Sequence, residues 1–309
     1  MVIWNLRQSP WITVPHASIG ASVPAVLEDD QTQMSATMDS QTGRARFVEV
    51  DGVRIRVAVR GAGPPLLLIM GLGGNLEMWE PFQRALGPGI ETIAFDAPGV
   101  GSSTGWSRPR RMGGLARAVD RMVAALGYGA VDVLGVSLGG ALAQELAKQR
   151  PERIRRLVLA ATAPGVPGLG GVPGNPRAML TLATPRRYHD EEYFRRVAPT
   201  LYGGASRRDG GLSEQQAHAR LGNPPTWRGY AAQLYAIQGW TMLPWLRLLH
   251  HDTLVLAGDD DPIVPLVNGK ILARLLPNAT LHVVRGGGHL FLLEQAEESA
   301  AAVRAFLDG

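Results

Sequence analysis

The sequence predicts an α/β sandwich, a mostly parallel sheet covered by helices on both faces, entered through an antiparallel hairpin and interrupted by one long helical insertion. Three observations carry this. Unbroken apolar runs, "PLLLIM", "ETIAF", "VDVLGV", "RLVLAA", "TLVLAG" and "TLHVV", recur along the chain, and strands apolar at every position are those buried on both faces. Helical patterns over 112–126, 138–150 and 293–307 alternate with most of them, as in layered α/β folds. Residues 164–249 form a connection too long for a structureless loop in a compact domain.

Taken in chain order, residues 1–46 show neither a two-residue nor a 3.6-residue period and read as a poorly ordered extension. Met34 and Met38 stand just before the patterned region, which raises the expectation of an over-called start. Order begins at Phe47, where "FVEVDGVRIRVAVRG" alternates about Asp51-Gly52, the dipeptide of a tight hairpin. The glycine-rich turn in "LLLIMGLGGN" then ends a strand. It has no Lys or Ser/Thr in the arrangement of a phosphate-binding loop. "FDAPGVGSS", residues 95–103, ends another and reads as structural, holding the rim of a site.

The chemistry starts at Ser137. "Gly-Val-Ser-Leu-Gly" sits between an apolar strand and a helix, the context of a nucleophile elbow, where a strained turn lifts the hydroxyl above the sheet. Glycines at 135 and 139 fit because strand and helix approach too closely there for side chains. A plain serine helix cap is the competing reading. A serine hydroxyl needs a base, and in this architecture an acid and then a histidine follow the serine along the chain. "LVLAGDDDPIVP" offers Asp261, with Asp259 and Asp260 as rivals, and "VVRGGGHLFLLEQ" offers His289. The rival His282 sits inside a strand pattern; the other histidines lie in the tail, the insertion or its junction. For an oxyanion, the N–H groups of Leu138, at a helix N-terminus, and Leu72, in the turn opposite, are the candidates.

Composition excludes much else. Without cysteine there are no disulfides, thiolate metal sites or cysteine nucleophiles. The net charge of +4 rests on dispersed arginines, which reads as a solvated surface rather than a nucleic-acid patch. No stretch approaches the roughly 20 apolar residues of a membrane span, and no secretory signal pattern opens the chain, so a cytoplasmic location is expected.

With the elbow, Asp261, His289 and "FDAPGVGSS" together, the chain from about Phe47 onward resembles the α/β-hydrolase superfamily. "IAFDAPGVGSS", "LVLAATAPG", "ATPRRY", "APTLYGG" and "LVLAGDDDPIVPLVN" are more specifically similar to the intracellular medium-chain-length poly(3-hydroxyalkanoate) depolymerases. The resemblance implies a hydrolase core over 47–163 and 250–309 and a helical cap over 164–249 acting as lid and apolar binding wall, at least half of its aromatics being ordinary cap core. It implies a serine esterase needing no cofactor or metal. Ser137 would be the nucleophile, His289 the base, Asp261 its partner, and the Leu72 and Leu138 amides the oxyanion hole. The substrate would be a storage-polyester granule or its oligomers, with granule association a further expectation. Leu138 stands where that family often has an aromatic residue. The residues alone leave two alternatives open: a small-molecule esterase, lactonase or C–C bond hydrolase with the same triad, and a non-catalytic ligand-binding homologue. The sequence singles out no residue for substrate side-chain recognition and no oligomeric state.

Overall fold

The computed structural model describes residues 45–208 and 214–309. The extension expected over 1–46, with Met34 and Met38, lies outside these apart from Ala45 and Arg46, which already belong to the first strand. Eight strands form one sheet in the order β1-β2-β4-β3-β5-β6-β7-β8: β1 (Ala45–Val50), β2 (Val53–Arg60), β3 (Pro65–Ile69), β4 (Glu91–Phe95), β5 (Val131–Val136), β6 (Ile154–Ala160), β7 (Asp252–Gly258) and β8 (Ala279–Val284). The β1/β2 and β2/β4 pairs are antiparallel and the rest parallel. Strand β1 starts two residues before Phe47 because Ala45 still pairs with Ala58. Asp51 and Gly52 both have positive φ, 53° and 76°, the requirement of a type I′ hairpin turn that Asp-Gly meets at little cost.

Strand β3 shows why the apolar runs are unbroken. Leu66 and Leu68 enter the cluster formed with Phe82 and Leu86 of α1 (Glu80–Leu86) and Val303 of the C-terminal helix. Leu67 and Ile69 point to the other face, among Val119 and Met122 of α2 (Met112–Ala125) and Leu142 and Leu146 of α3 (Leu138–Gln149). Each position is therefore a core position, and burying such a side chain contributes about 1.5–3 kcal/mol.

The same two faces locate the site. After β3 the chain crosses to α1 on one face and pairs as β4 on one side; after β5 it enters α3 on the opposite face and continues as β6 on the other side. Strands β3 and β5 are neighbours, so a crevice opens at their C-terminal ends, the position where open α/β sheets bind ligands.

Between β6 and β7 lie α4 (Pro176–Thr181), α5 (Glu191–Tyr202), α6 (Gly204–Arg208), α7 (Glu214–Gly222) and α8 (Trp227–Ile237). Phe194, Ala198 and Leu201 pack there with Ala178 and Ile263. Tyr188, Phe194, Tyr202, Tyr230 and Trp240 are buried, while Tyr235 and Trp245 remain exposed. Helices α9 (Leu266–Leu275), α10 (Phe291–Glu294) and α11 (Ala296–Asp308) complete the described chain. Among the described residues no helix is long and apolar enough to cross a membrane.

Candidate active site

Strand β5 is buried along its whole length and delivers Ser137 with φ 56° and ψ −119°, a conformation L-residues rarely adopt and that persists only where its surroundings over-determine it. They do so here. The Ser137 N–H donates to the Ala160 carbonyl at 2.9 Å, and the Ser137 carbonyl accepts from Gly140 N–H, Ala141 N–H and Thr162 Oγ1 at 2.9, 3.1 and 2.8 Å. Flanking side chains have no room. A Cβ on Gly135 would lie 2.3 Å from the Gly139 oxygen, and one on Gly139 would lie 2.1 Å from the Ile69 oxygen at the end of β3. The glycine pattern is thus a packing requirement of strand against helix and of helix against the neighbouring strand.

The turn after β3 faces the serine: a Cβ on Gly71 would sit 3.2 Å from Ser137 Cβ. Leu72 and Leu138 both line the cavity above Ser137, and among the described residues neither amide N–H donates a hydrogen bond. The Leu72–Gly73 peptide is fixed from the insertion on both sides. Tyr188 Oη donates to the Leu72 carbonyl at 2.6 Å, and the Gly73 N–H donates to Gln233 Oε1 at 2.8 Å.

Asp261 and His289 come together from the turns after β7 and β8. One carboxylate oxygen of Asp261, Oδ1, accepts from the Ile263 and Val264 N–H groups at 2.8 and 2.9 Å, which leaves Oδ2 for His289 Nδ1 at 2.8 Å. Both residues are buried. The His289 N–H donates to the Tyr202 carbonyl at 2.7 Å. The rival carboxylates are engaged elsewhere: Asp259 accepts from Gly286 N–H, and Asp260 from Gly204 N–H and Arg207. His282 lies on β8, 3.7 Å from Glu298. Ser137 and His289 line one cavity, without a hydrogen bond from Ser137 Oγ to the imidazole among the described residues; such contacts commonly tighten only with substrate bound.

The "FDAPGVGSS" loop holds the rim. Asp96 is fully buried and accepts from the Leu76 and Ser102 N–H groups at 2.8 and 3.0 Å and from Arg56 at 3.3 Å. Burial is the largest influence on its carboxyl and holds its pKa above the usual range, against the lowering effect of those donors. Gly99 packs against Gly229 of α8, with no space for a side chain between them.

The cavity itself measures about 320 Å³ and is walled by aliphatic side chains, among them Leu182, Leu234, Ile237, Ile263 and Leu290. Two of its lining residues have no counterpart in the sequence reading. Arg187 and Arg220, each only 2% exposed, lie among Tyr188, Tyr202 and Tyr230, whereas the dispersed arginines of the sequence predict a solvated surface. A hydroxyl, a carboxylate-backed imidazole and two unpaired amides around an apolar cavity are suited to acyl transfer at a carbonyl.

A family model described as the alpha/beta hydrolase fold matches residues 64–296. A poly(3-hydroxyalkanoate) depolymerase of Ectopseudomonas oleovorans is 49% identical over 266 residues, 85% of this chain and 92% of that protein. A 2-hydroxy-6-oxo-6-phenylhexa-2,4-dienoate hydrolase of Burkholderia cepacia is 29% identical over 274 residues, 84% of this chain and 94% of that protein. Among solved structures, a hydrolase from Pseudomonas aeruginosa superposes with a TM-score of 0.74 at 24% identity, covering 87% of this chain and 100% of the other, a likeness of fold.

Proposed function

The chain belongs to the alpha/beta hydrolase fold family, and from that premise we propose that it is a serine esterase that depolymerises medium-chain-length poly(3-hydroxyalkanoate) through an acyl-enzyme. The chemistry rests on one observation above the others: the buried Asp261–His289 pair, 2.8 Å apart, shares a cavity with a serine held in a strained turn. The choice of polyester rests on the relative that is 49% identical over 92% of its length and on an apolar cavity matched to aliphatic side chains.

In this mechanism Ser137 Oγ gives its proton to His289 Nε2 as it attacks the ester carbonyl. Asp261 Oδ2, accepting from His289 Nδ1–H, keeps the imidazole in the tautomer whose Nε2 is free and stabilises the imidazolium. The developing oxyanion takes the Leu72 and Leu138 N–H groups; one such donor is commonly worth about 2.7–4 kcal/mol of barrier. The proton then passes to the departing 3-hydroxyl, water repeats the sequence on the acyl-enzyme, and a carboxylic acid leaves. Residues 164–249 act as the cap over a core of 47–163 and 250–309, and the enzyme works at the granule in the cytoplasm.

The test is release of 3-hydroxyalkanoic acids from amorphous medium-chain polyester granules, run beside p-nitrophenyl octanoate and beside Ser137→Ala. Activity on both substrates, abolished in the variant, is the expected result. Hydrolysis of the small ester with none of the granule would replace the depolymerase reading with a small-ester hydrolase; ester hydrolysis surviving in Ser137→Ala would remove the serine mechanism.

A further inference from the structure

Arg187 and Arg220 are two guanidinium groups buried beside one another in an otherwise apolar cavity. Both donate to the same oxygen, Tyr202 Oη, at 3.1 Å from Arg187 Nε and 2.8 Å from Arg220 Nη1. Arg187 Nη1 also donates to Tyr230 Oη at 2.7 Å and to the Thr184 carbonyl at 3.2 Å. Among the described residues neither forms an ion pair, and Arg220 Nε is buried without a hydrogen-bond partner. Besides those neutral oxygens, rings face the charges: Arg187 lies 4.6 Å from the Tyr188 centroid, and Arg220 lies 4.9 Å from Tyr188 and 5.1 Å from Tyr202.

Two like charges taken out of water with no carboxylate beside them among the described residues are costly, and cation–π contacts and neutral hydrogen bonds offset only part of that. A packing role would be met more cheaply by leucine or methionine. The missing partner is an anion, and the cavity is where it can arrive: both arginines line it together with Ser137 and His289. The dyad is also tied to the reacting groups. Tyr188, under both guanidiniums, holds the Leu72 carbonyl, and the Tyr202 carbonyl holds the His289 N–H.

Resting on the depolymerase reading, we propose that Arg187 and Arg220 form a carboxylate subsite that takes the free carboxyl terminus of a polyester chain or oligomer. Seating that end places the last ester bond, a few atoms away, at Ser137. The serine acylates on the penultimate unit's carbonyl, the C–O bond to the terminal unit breaks, and His289 delivers its proton to the new 3-hydroxyl. One hydroxyacid leaves, and hydrolysis of the acyl-enzyme creates the next free carboxyl terminus. The enzyme therefore works from that end, one unit at a time.

The experiment compares wild-type kcat/KM on the linear dimer of 3-hydroxyoctanoic acid with that on the methyl ester of the same dimer, cleavage being read at the internal ester. The free acid is expected to be preferred by roughly thirtyfold or more, the scale of a buried charge left unpaired. In Arg220→Gln and Arg187→Gln that ratio falls toward one; because it is taken within each protein, any general loss of activity cancels. Equal kcat/KM on the two dimers with wild type would overturn the subsite and leave the esterase standing. Failure to cleave the internal ester of either dimer, with p-nitrophenyl octanoate still hydrolysed, would overturn the subsite and the polyester reading together.

Discussion

Replacing Asp261 by Asn isolates the electrostatic part of the proposed triad, because the structure divides the work of that side chain between its two oxygens. Oδ1 accepts from the Ile263 and Val264 N–H groups at 2.8 and 2.9 Å. Two donors there oblige the amide oxygen of Asn to take the same place, so the turn survives. The amide nitrogen then faces His289 Nδ1, where Asp261 Oδ2 stands 2.8 Å away. A donor in that position leaves Nδ1 as the acceptor and moves the ring proton to Nε2, which can no longer receive a proton from Ser137. Serine hydrolases with this tautomer error lose about 10⁴ in kcat, or about 5.5 kcal/mol of transition-state stabilisation. The assay is kcat for p-nitrophenyl octanoate, with a thermal melt of the same sample. A folded Asp261→Asn enzyme losing less than tenfold would refute the reasoning, as would an equal loss in Asp260→Asn, whose carboxylate is engaged by Gly204 N–H and Arg207 instead.

Three further outcomes are expected. Gly139→Ala puts a Cβ 2.1 Å from the Ile69 oxygen and 2.7 Å from the Met70 oxygen; these are backbone atoms, so the end of β3 and the Leu72 turn must move, with kcat falling about a hundredfold and the overpacking costing about 1–3 kcal/mol. An unchanged kcat in the folded variant would detach the Leu72 amide from catalysis. Tyr188→Phe removes the 2.6 Å bond to the Leu72 carbonyl and should lower kcat by roughly threefold to tenfold while lowering stability by about 0.5–1.5 kcal/mol, the worth of one neutral hydrogen bond; a loss seen only in KM would count against a positioning role. Asp51→Asn keeps a turn-forming residue at the hairpin while deleting the partner of Arg110 and Arg121. Although burial alone would raise it, those two arginines hold the Asp51 pKa below its ordinary value. The ion pairs therefore stabilise above the unfolded pKa and fade as pH falls through the lower, folded one. Chemical denaturation should show Asp51→Asn less stable at pH 7 by about 0.5–1 kcal/mol, the figure discounted for a solvent-screened pair, with the difference shrinking as pH falls below the ordinary carboxylate range.

Much of this was legible in the sequence for a physical reason. A strand buried on both faces admits a polar side chain only where a partner meets it, as Arg155 meets Asp132 of β5, so β3, β5 and β7 read as largely apolar runs, and the close approaches at Gly135 and Gly139 leave a glycine signature around Ser137. Asp261 was harder to separate from Asp259 and Asp260, since three adjacent carboxylates share one turn and only the backbone donors at 263 and 264 distinguish them. Arg187 and Arg220 were invisible. Their burial comes from tyrosines 15 and 43 residues along the chain from Arg187 and 18 residues back from Arg220, and no local pattern separates such an arginine from a solvated one. Gln233 was missed for the same cause: its contact with Gly73 spans 160 residues.

The central claim is that Ser137 carries the acyl group. Rapid quenching of the enzyme with p-nitrophenyl octanoate, followed by peptide mass spectrometry, tests it directly. The account predicts a burst of p-nitrophenol and one octanoyl group on the peptide containing Ser137, both absent from Ser137→Ala. An octanoyl group on another residue, or a burst that persists in Ser137→Ala, would contradict it.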